Sequence, residues 1–336
     1  MELVIVAGGL GTRLRPLTFH RPKALVPLLN RPQVLHLLDG LPDAVDRVIV
    51  AVNYGYEAVR DFFRSADVGR ETVVVKEPEP LGTGGALKNV EGHVRGTFAA
   101  FNGDVIDAID LEAFLRFHRR HGRIGSLGVW PVPDPAGFGV VELDGERIRR
   151  FVEKPPKGQA PSDLVNAGRY IFEPEVFHFI ESGREVSLER EVFPRLVVEG
   201  LAAYRYEGYW SDAGTLTTYL VAQAVLLDSG RGGIAGDSDT ARASIADPVL
   251  VGSACLVEGA VGPHVVLGDG CRIGRATVAE SALFDHVSVD DKAEIRSSLV
   301  GAGAAIGEGA RVVDSIIGDG VQVPPHARLA DARMKG

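Results

Sequence analysis

The last third of the chain repeats its apolar residues every 17 positions, and this period constrains the fold more than any other feature. Three series keep a common phase: Val266, Leu283, Val300 and Ile317; Val289, Ile306 and Val323; Val278, Ile295, Val312 and Leu329. Within a turn the series are about six residues apart, and a glycine often follows the apolar residue. An α-helix, with 3.6 residues per turn, cannot keep this period. The pattern predicts a coil with three inward-facing sides, a β-helix of hexapeptide repeats, with about five turns over 245–332.

The earlier part of the chain alternates short apolar runs with amphipathic stretches. Glu2–Ala7 and Arg47–Val52 are typical of buried strands, whereas Tyr56–Ser65 has helical spacing. This alternation predicts an α/β fold, a Rossmann-like, mostly parallel sheet with helices on both faces. Ligands bind such sheets beyond the carboxyl ends of the strands. We therefore expect a catalytic domain over 1–228, a linker rich in Gly, Ser and Asp over 229–244, and the β-helix over 245–336.

Composition excludes several classes of protein. The chain has 36 Lys and Arg against 45 Asp and Glu, a net charge of −9, which gives nucleic-acid binding no electrostatic support. No apolar run approaches the roughly 18 residues that span a membrane, and the first residues lack the pattern of a signal peptide. We therefore expect a cytoplasmic protein. Two cysteines, Cys255 and Cys271, are too few for a disulfide framework or a complete zinc site.

A glycine-rich loop, Gly8-Gly9-Leu10-Gly11-Thr12-Arg13-Leu14, directly follows the first predicted strand. Its glycine spacing differs from the Rossmann fingerprint, and no Gly-Lys-Ser/Thr follows as in a Walker loop. Glycines allow backbone N–H groups to approach phosphate oxygens, and Arg13 adds a bidentate cation. Lys23, held by Pro22, supplies a second cation. The segment predicts a polyphosphate-binding loop.

The sequence GGLGTRLRPLT followed by PKALVPLLNRP resembles the nucleotide-sugar pyrophosphorylases, the sugar-1-phosphate nucleotidyltransferases. The resemblance covers nearly the whole chain, including the C-terminal β-helix, which in hexapeptide-repeat proteins is left-handed. It implies transfer of a nucleotidyl group from an NTP to a sugar 1-phosphate, with release of pyrophosphate. It also implies a set of nucleotide-binding residues: Ala7, Gly8, Gly9, Gly11, Thr12 and Arg13.

Two aspartates are the metal candidates. Asp104 follows a predicted strand and Asp212 precedes the last helix of the first domain. The resemblance implies that equivalent aspartates hold Mg²⁺ against the triphosphate, and a hard cation with carboxylate and phosphate ligands suits that chemistry. The alternative for either residue alone is a helix N-cap.

Three further motifs resemble the sugar-phosphate side of the family: Phe138–Val141, Phe151–Pro155 and Asn166–Tyr170. The resemblance implies that Lys154 binds the sugar phosphate, completing a catalytic set with Arg13 and Lys23. The implied sugar contacts are Asn102, Gly139, Glu153, Asn166 and Gly168. Phe138 stands where family members usually carry Tyr. In isolation, Glu153 and Lys154 have an alternative explanation as an ordinary surface ion pair.

The segment from Glu77 to Gly85 aligns with the part of the family that contacts the base, which adds Glu77, Gly82 and Thr83 to the nucleotide-binding set. Guanine presents N1–H and N2–H side by side, which suits a carboxylate acceptor, whereas uracil and thymine suit an amide. The sequence therefore favours GTP. The alternative is that Glu77 is exposed to solvent and that the backbone contacts the base.

The first choice of reaction is guanylyl transfer to mannose 1-phosphate, with thymidylyl, uridylyl and heptose-phosphate guanylyl transfer as alternatives. A non-catalytic subunit that senses sugar nucleotides is a different class. So is a bifunctional enzyme whose β-helix transfers acyl groups through one of its histidines, namely His264, His286 or His326. We expect a homo-oligomer to which the β-helix contributes, so that deleting 245–336 changes assembly more than chemistry.

Overall fold

A computed structural model describes residues 1–336, and the chain divides into two compact units. The first unit comprises Met1–Gly9 and Leu37–Trp210, and the second comprises Leu10–His36 and Ser211–Gly336. The domain limits at 228 and 245 stay a prediction, since these units divide the chain elsewhere. Residues 10–36 join the second unit through contacts with residues distant in the sequence, which a local pattern does not reveal.

Thirteen strands and six α-helices precede the coil. The strands are β1 Glu2–Val6, β2 Pro27–Leu28, β3 Arg31–Pro32, β4 Arg47–Val52, β5 Glu71–Lys76, β6 Phe98–Asn102, β7 Val105–Asp107, β8 Gly125–Pro131, β9 Gly139–Asp144, β10 Arg147–Glu153, β11 Leu164–Phe172, β12 Leu201–Arg205 and β13 Trp210–Asp212. The helices are α1 Gln33–His36, α2 Tyr56–Ser65, α3 Gly82–Asn89, α4 Leu111–His121, α5 Phe193–Glu199 and α6 Leu216–Leu226. Short 3₁₀ turns cover Thr12–Leu14, Lys23–Leu25, Glu91–His93 and Pro174–Phe179, and π-helical turns cover Leu188–Val192 and Leu227–Arg231.

The first unit is built on a nine-stranded sheet with the order β5-β4-β1-β6-β11-β8-β12-β10-β9. Its first four strands are parallel, and Leu3 at the centre pairs with Val48 on one side and Ala99 on the other. The remaining pairings are antiparallel except β8 with β12, so the sheet is mixed rather than mostly parallel. An Asp144-Gly145 turn joins β9 directly to β10, the hairpin signal that removes the need for a crossover helix. The α/β fold class is confirmed.

The core of the first unit explains why its strands are continuous apolar runs. Both faces of β1 and β4 are covered, and Val4 and Ile49 are fully buried. Aromatic side chains fill the other half of this core, where the rings of Phe98 and Phe177 stack with centroids 5.3 Å apart. The buried sheet fixes the positions at which its strands end, and the loops after β1 and β6 start from those ends.

The second unit contains a coil of eighteen short strands. They are β14 Gly233–Ile234, β15 Ser244–Ile245, β16 Val249–Val251, β17 Leu256–Val257, β18 Ala260–Val261, β19 Val265–Leu267, β20 Arg272–Ile273, β21 Thr277–Ala279, β22 Ala282–Leu283, β23 Ser288–Val289, β24 Glu294–Arg296, β25 Leu299–Val300, β26 Ala305–Ile306, β27 Arg311–Val313, β28 Ile316–Ile317, β29 Gln322–Val323, β30 Arg328–Ala330 and β31 Arg333–Met334. Every third strand pairs in parallel, which gives sheets of seven, six and five strands. This three-sided parallel coil confirms the predicted β-helix and is consistent with its left-handed form.

The structure corrects one member of the predicted repeat. Leu283, Val300 and Ile317 stack in register 17 residues apart, but Leu283 pairs with Leu267, which is 16 residues before it, and not with Val266. Leu267 belongs to the apolar core of the coil and Val266 does not. The earlier turns of this sheet are one residue shorter, so a strict period of 17 shifts the stack by one position there.

The segment 229–244, expected as a linker, contributes residues to the coil. Gly233–Ile234 pairs with β16, and Ser244 pairs with Ala260. Gly, Ser and Asp are frequent in linkers and also in the tight turns of a coil, so composition does not distinguish the two. None of the helices combines the length and the apolar character needed to cross a lipid bilayer.

Candidate active site

The loop that follows β1 carries Ala7, Gly8 and Gly9. The N–H of Ala7 donates to Ala51 O at 2.9 Å, and the N–H of Gly103 donates to Val6 O at 2.9 Å. The turn after β6, which carries Asp104, therefore lies beside the loop after β1. Parallel strands bring both turns to the carboxyl edge of the sheet, the position expected for a ligand.

Glu77 follows β5 and packs against this loop. Its side chain is 3% exposed, and a β-carbon at Gly8 would lie 2.6 Å from its Oε1, so only glycine fits there. Oε2 accepts from the N–H of Leu81 at 3.4 Å, and Oε1 is buried without a protein partner. Burial raises the pKa of the Glu77 carboxyl, and the Leu81 N–H opposes that shift. The alternative in which Glu77 is exposed to solvent is wrong.

Gly82 and Thr83 open α3, and protein contacts occupy the Thr83 side chain. Its Oγ1 donates to Glu189 Oε2 at 2.8 Å and accepts from the N–H of Leu188 at 2.9 Å. The hydroxyl thus fixes the π-helical turn at Leu188. Nucleotide binding by Gly82 and Thr83 stays a prediction.

Three of the predicted sugar contacts lie together at β6 and β11. A β-carbon at Gly168 would lie 2.8 Å from Nδ2 of Asn102, and Gly168 has a φ of 70°, so both space and conformation require glycine. Asn166 Oδ1 accepts from the N–H of Gly168 at 3.1 Å, and Asn166 Nδ2 donates to the hydroxyl of Tyr170 at 2.9 Å. A bulge in the pairing of β11 with β8 between Asn166 and Tyr170 turns these polar groups toward one another.

The other sugar-side residues lie on the β9–β10 hairpin. Gly139 pairs with Glu153, and the N–H of Lys154 donates to Phe138 O at 2.9 Å. Lys154 Nζ lies 3.6 Å from Glu153 Oε1, with side-chain exposures of 58% and 16%. Burial and the charge of Glu189 raise the pKa of Glu153, and Lys154 opposes the shift. The pair is therefore half-buried, unlike an ordinary surface pair.

Glu189 connects these groups, although it is not among the residues predicted from the sequence. It accepts from Thr83 and from the hydroxyl of Ser187 at 2.8 Å, and its charge raises the pKa values of both Glu153 and Tyr170. Ser187 caps the turn in which Glu189 stands. The sequence signal was the Ser-Leu-Glu-Arg run, which alone resembles an ordinary helix start.

The second unit brings together the two cations of the loop. A β-carbon at Gly214 would lie 2.7 Å from Arg13 Nη2 and 3.3 Å from Lys23 Nζ, so both groups converge on one backbone position. Gly11 packs against the stem of Lys23, and Thr12 and Arg13 form an exposed 3₁₀ turn. Pro22 precedes the turn Lys23–Leu25 with extended φ and ψ, which fixes the start of the lysine side chain. Paired cations of this kind neutralise phosphate oxygens.

Neither candidate metal ligand is a helix cap. The N-cap of α6 is Thr215, which forms a capping box with Thr218, and Asp212 ends β13. Asp104 precedes β7, and the cap of α4 is Asp110. No group of three or more His, Cys, Asp or Glu side chains is placed to hold a metal ion. The residues thus suit only an ion that takes its other oxygen ligands from water and phosphate, as Mg²⁺ does.

A phosphate-binding loop on an α/β sheet, two convergent cations and a polar set for a hydroxylated ligand define an enzyme that transfers a phosphate-linked group. The chain belongs to the nucleotidyl transferase family, whose model matches residues 2–229, and a model described as the GMPPB C-terminal domain matches residues 242–334. The predicted family and enzyme class are confirmed.

Relatives align over nearly the whole chain. Mannose-1-phosphate guanylyltransferase of Mycobacterium tuberculosis is 38% identical, covering 96% of this chain and 81% of its own. Mannose-1-phosphate guanylyltransferase 1 of Arabidopsis thaliana is 34% identical, covering 96% of this chain and 92% of its own. A crystal structure of HddC from Yersinia pseudotuberculosis, complexed with GMP-PN, superposes with a TM-score of 0.56 at 27% identity, covering 66% of this chain and 97% of its own.

Proposed function

We propose that this enzyme transfers a guanylyl group from GTP to mannose 1-phosphate, giving GDP-mannose and pyrophosphate. The observation that carries the proposal is the 34–38% identity, over 96% of this chain, to enzymes named mannose-1-phosphate guanylyltransferase. The crystal structure of HddC, in complex with the guanine nucleotide GMP-PN, supports the same base.

Glu77 supports guanine from within the chain. Its carboxylate is held against Gly8 of the nucleotide loop, and Oε1 has no protein donor. Guanine N1–H and N2–H₂ can supply the two donors, in a charge-assisted pair. Adenine would place its N1 lone pair against an ionised carboxylate, and that repulsion rejects it.

The chemistry requires positioning and charge neutralisation. An oxygen of the sugar phosphate attacks the α-phosphorus of GTP, the bond from that phosphorus to the α–β bridging oxygen breaks, and pyrophosphate leaves. The attacking oxygen is already ionised, so no general base is needed. Arg13 and Lys23 neutralise the triphosphate, and Lys154 orients the sugar phosphate. Asn102, Gly139, Glu153, Asn166 and Gly168 hold the sugar.

We assign Asp104 and Asp212 as ligands of Mg²⁺. The ion would reduce the negative charge of the triphosphate when it is bound. Two carboxylates with phosphate and water fit its preference for oxygen ligands, and no third acidic side chain is required. We also propose a cytoplasmic homo-oligomer, for which the flat sheets of the coil and the exposed Ile234 and Leu256 offer contact surface.

The test is turnover with each of the four NTPs against mannose, glucose and heptose 1-phosphates. We expect the highest kcat/KM with GTP and mannose 1-phosphate. In Glu77→Gln, the kcat/KM ratio of GTP to dTTP should fall about 10-fold or more, because an amide offers one donor and one acceptor. Glu79→Gln, a neighbouring exposed carboxylate, is the matched control. Absence of turnover with every pair would favour the sugar-nucleotide-sensing subunit.

A further inference from the structure

One cavity of the second unit is lined by cations that the proposed reaction does not use. Its volume is about 420 Å³, and its basic residues are Arg13, Arg15, Arg333 and Lys335. Pro16 and Phe19 complete its apolar side. We call this cavity the basic cleft.

No acidic side chain lines the basic cleft, although the protein has a net charge of −9. Of its four cations, Arg333 alone is in an ion pair, with Asp331 at 3.6 Å. Arg15 and Lys335 each lie 5.0 Å from the centroid of the Phe19 ring, so their charges are at most twice that distance apart. That separation is about one Debye length at physiological salt, so the charges repel and stabilise a shared anion.

The cleft is held in shape by the last turns of the coil. Arg333 donates to Asp314 O at 3.2 Å and to Ala332 O at 3.0 Å, which directs its guanidinium. A β-carbon at Gly318 would lie 3.2 Å from Pro16 Cγ, so the loop packs closely on the coil. The cations therefore converge from two segments far apart in the sequence.

From this geometry we propose that the basic cleft binds a small metabolite carrying two phosphate groups. Two arginines and a lysine match a divalent or higher anion, and an arginine can chelate phosphate with two parallel hydrogen bonds. A nucleotide base does not suit the cleft, because the ring of Phe19 already carries two cations. Inorganic pyrophosphate and a sugar bisphosphate share the required chemistry.

Arg13 lines the cleft and also belongs to the proposed triphosphate set. An anion in the cleft draws the Arg13 guanidinium toward itself and away from GTP, so the bound metabolite inhibits the enzyme. This consequence rests on the proposed function, whereas binding to the cleft does not.

The experiment compares Arg333→Gln/Lys335→Gln with wild type by calorimetric titration and by inhibition of turnover. Methylenediphosphonate represents pyrophosphate and glucose 1,6-bisphosphate represents a sugar bisphosphate. We expect the double variant to raise the Kd and Ki of one or both probes at least 10-fold, with KM for GTP within two-fold of wild type. The probe with the larger loss identifies the source of the phosphates. Arg272→Gln/Arg328→Gln removes two coil arginines without ion pairs and should change neither value.

Lys335→Gln alone guards against misfolding, because its one contact here is the Phe19 ring, and it should raise Kd about three-fold. Unchanged Kd and Ki in the double variant overturn the site. A rise in KM for GTP equal to the rise in Ki also overturns it, since the cations would then belong to the GTP site. If the chain turns over no nucleotide, calorimetry still tests the cleft, and only the proposed function fails.

Discussion

Glu77 combines an unfavourable burial with a useful one. A carboxylate that is 3% exposed and has one unpaired oxygen loses more hydration than it regains from the Leu81 N–H. The same unpaired oxygen is what a guanine donor requires. Specificity at this position therefore costs stability in the protein without nucleotide.

Replacing Glu77 by Gln is expected to stabilise the nucleotide-free protein at neutral and alkaline pH. The pKa of Glu77 is raised in the folded state by burial, so its contribution to stability is present below the unfolded pKa and is lost as pH rises through the folded pKa. The advantage of Glu77→Gln should thus grow from pH 4 to pH 8 and level off above the raised pKa. Urea unfolding of both proteins at several pH values measures it. A difference independent of pH would mean that the buried charge is compensated elsewhere.

Arg13→Ala and Lys23→Ala should each lower kcat/KM by about 100-fold or more, comparable to the loss of one charge-stabilising donor. Both cations approach Gly214, so neither can be replaced by the other without moving the backbone. Steady-state kinetics of the folded variants measures the effect. Lys157→Ala, an exposed cation outside both sets, serves as control. A rate near wild type for one variant removes that residue from the mechanism.

Asp104→Asn and Asp212→Asn should each raise the Mg²⁺ concentration for half-maximal activity, because the amide keeps an oxygen ligand and loses its charge. Titration of activity with Mg²⁺ measures the shift. Asp110→Asn, which alters the α4 cap, is the control and should leave the Mg²⁺ requirement unchanged. A normal requirement in both test variants would withdraw the metal assignment.

Sequence reasoning found the individual residues of the site better than their contacts. The loop from Gly8 to Arg13 has a local signature, whereas the packing of Gly8 against Glu77 joins segments almost 70 residues apart. Glu189 escaped notice because its partners, Thr83 and Glu153, come from elements whose approach only the fold determines.

At the scale of elements, the coil depends on a buried ladder of serines. Ser281, Ser298 and Ser315 are fully buried, one per turn. Ser281 Oγ accepts from the N–H of Ser298 at 3.1 Å, and Ser298 Oγ accepts from the N–H of Ser315 at 3.0 Å. Each hydroxyl also donates to a carbonyl of its own turn, at 2.6–2.7 Å. The ladder satisfies backbone groups that the sheets leave unpaired at one corner.

Ser298→Ala should destabilise the protein by about 1–3 kcal/mol, because it leaves the buried N–H of Ser315 and a carbonyl without partners. Ser288→Ala, a half-buried strand position of the same coil, is the matched control and should lie within about 0.5 kcal/mol of wild type. The free energy of unfolding in urea distinguishes them. Equal values would show that water or a shifted backbone replaces the hydroxyl.

The same ladder shows what the sequence pattern conceals. Its serines recur every 17 residues, the period of the apolar series, yet a periodic polar residue does not reveal that it is buried. The apolar repeat predicted the three-sided coil, and the strands β4, β5 and β8 were predicted at their observed limits. The hairpin of β9 and β10 was not foreseen as a pair, because short antiparallel strands lack the crossover helix that marks the parallel ones.

At the scale of the whole molecule, the second unit ties the loop of Lys23 to the coil. Asn30 Nδ2 donates to Leu267 O at 2.7 Å, and Arg21 lies 3.5 Å from Asp319 in an ion pair. Gln223 of α6 donates to His264 O at 2.9 Å and to Ser281 O at 3.1 Å. Residues that the sequence assigned to the catalytic domain therefore take part of their order from the β-helix.

These contacts change the expected result of deleting residues 245–336. The sequence predicted a larger effect on assembly than on chemistry, but the deletion removes the partners of Arg21, Asn30 and Gln223. We expect kcat/KM to fall by about 100-fold or more, because misplacement of Arg13 and Lys23 by even 1 Å is costly. Turnover and sedimentation of the truncated protein measure the two effects separately. A soluble truncation with native kcat/KM would show that the loop keeps its order alone.

Asn30→Gly tests the same coupling without removing the coil. Asn30 has a φ of 57°, which glycine adopts without strain, so the variant removes only the hydrogen bond to Leu267. We expect KM for GTP to rise several-fold, with a loss of stability of about 1 kcal/mol. His326→Gly, at a φ of 61° on the exposed surface of the coil, controls for the added chain flexibility and should keep native kinetics. If both variants keep the KM of the native enzyme, the coil stabilises the loop without positioning its cations, and the activity lost on truncation comes from unfolding.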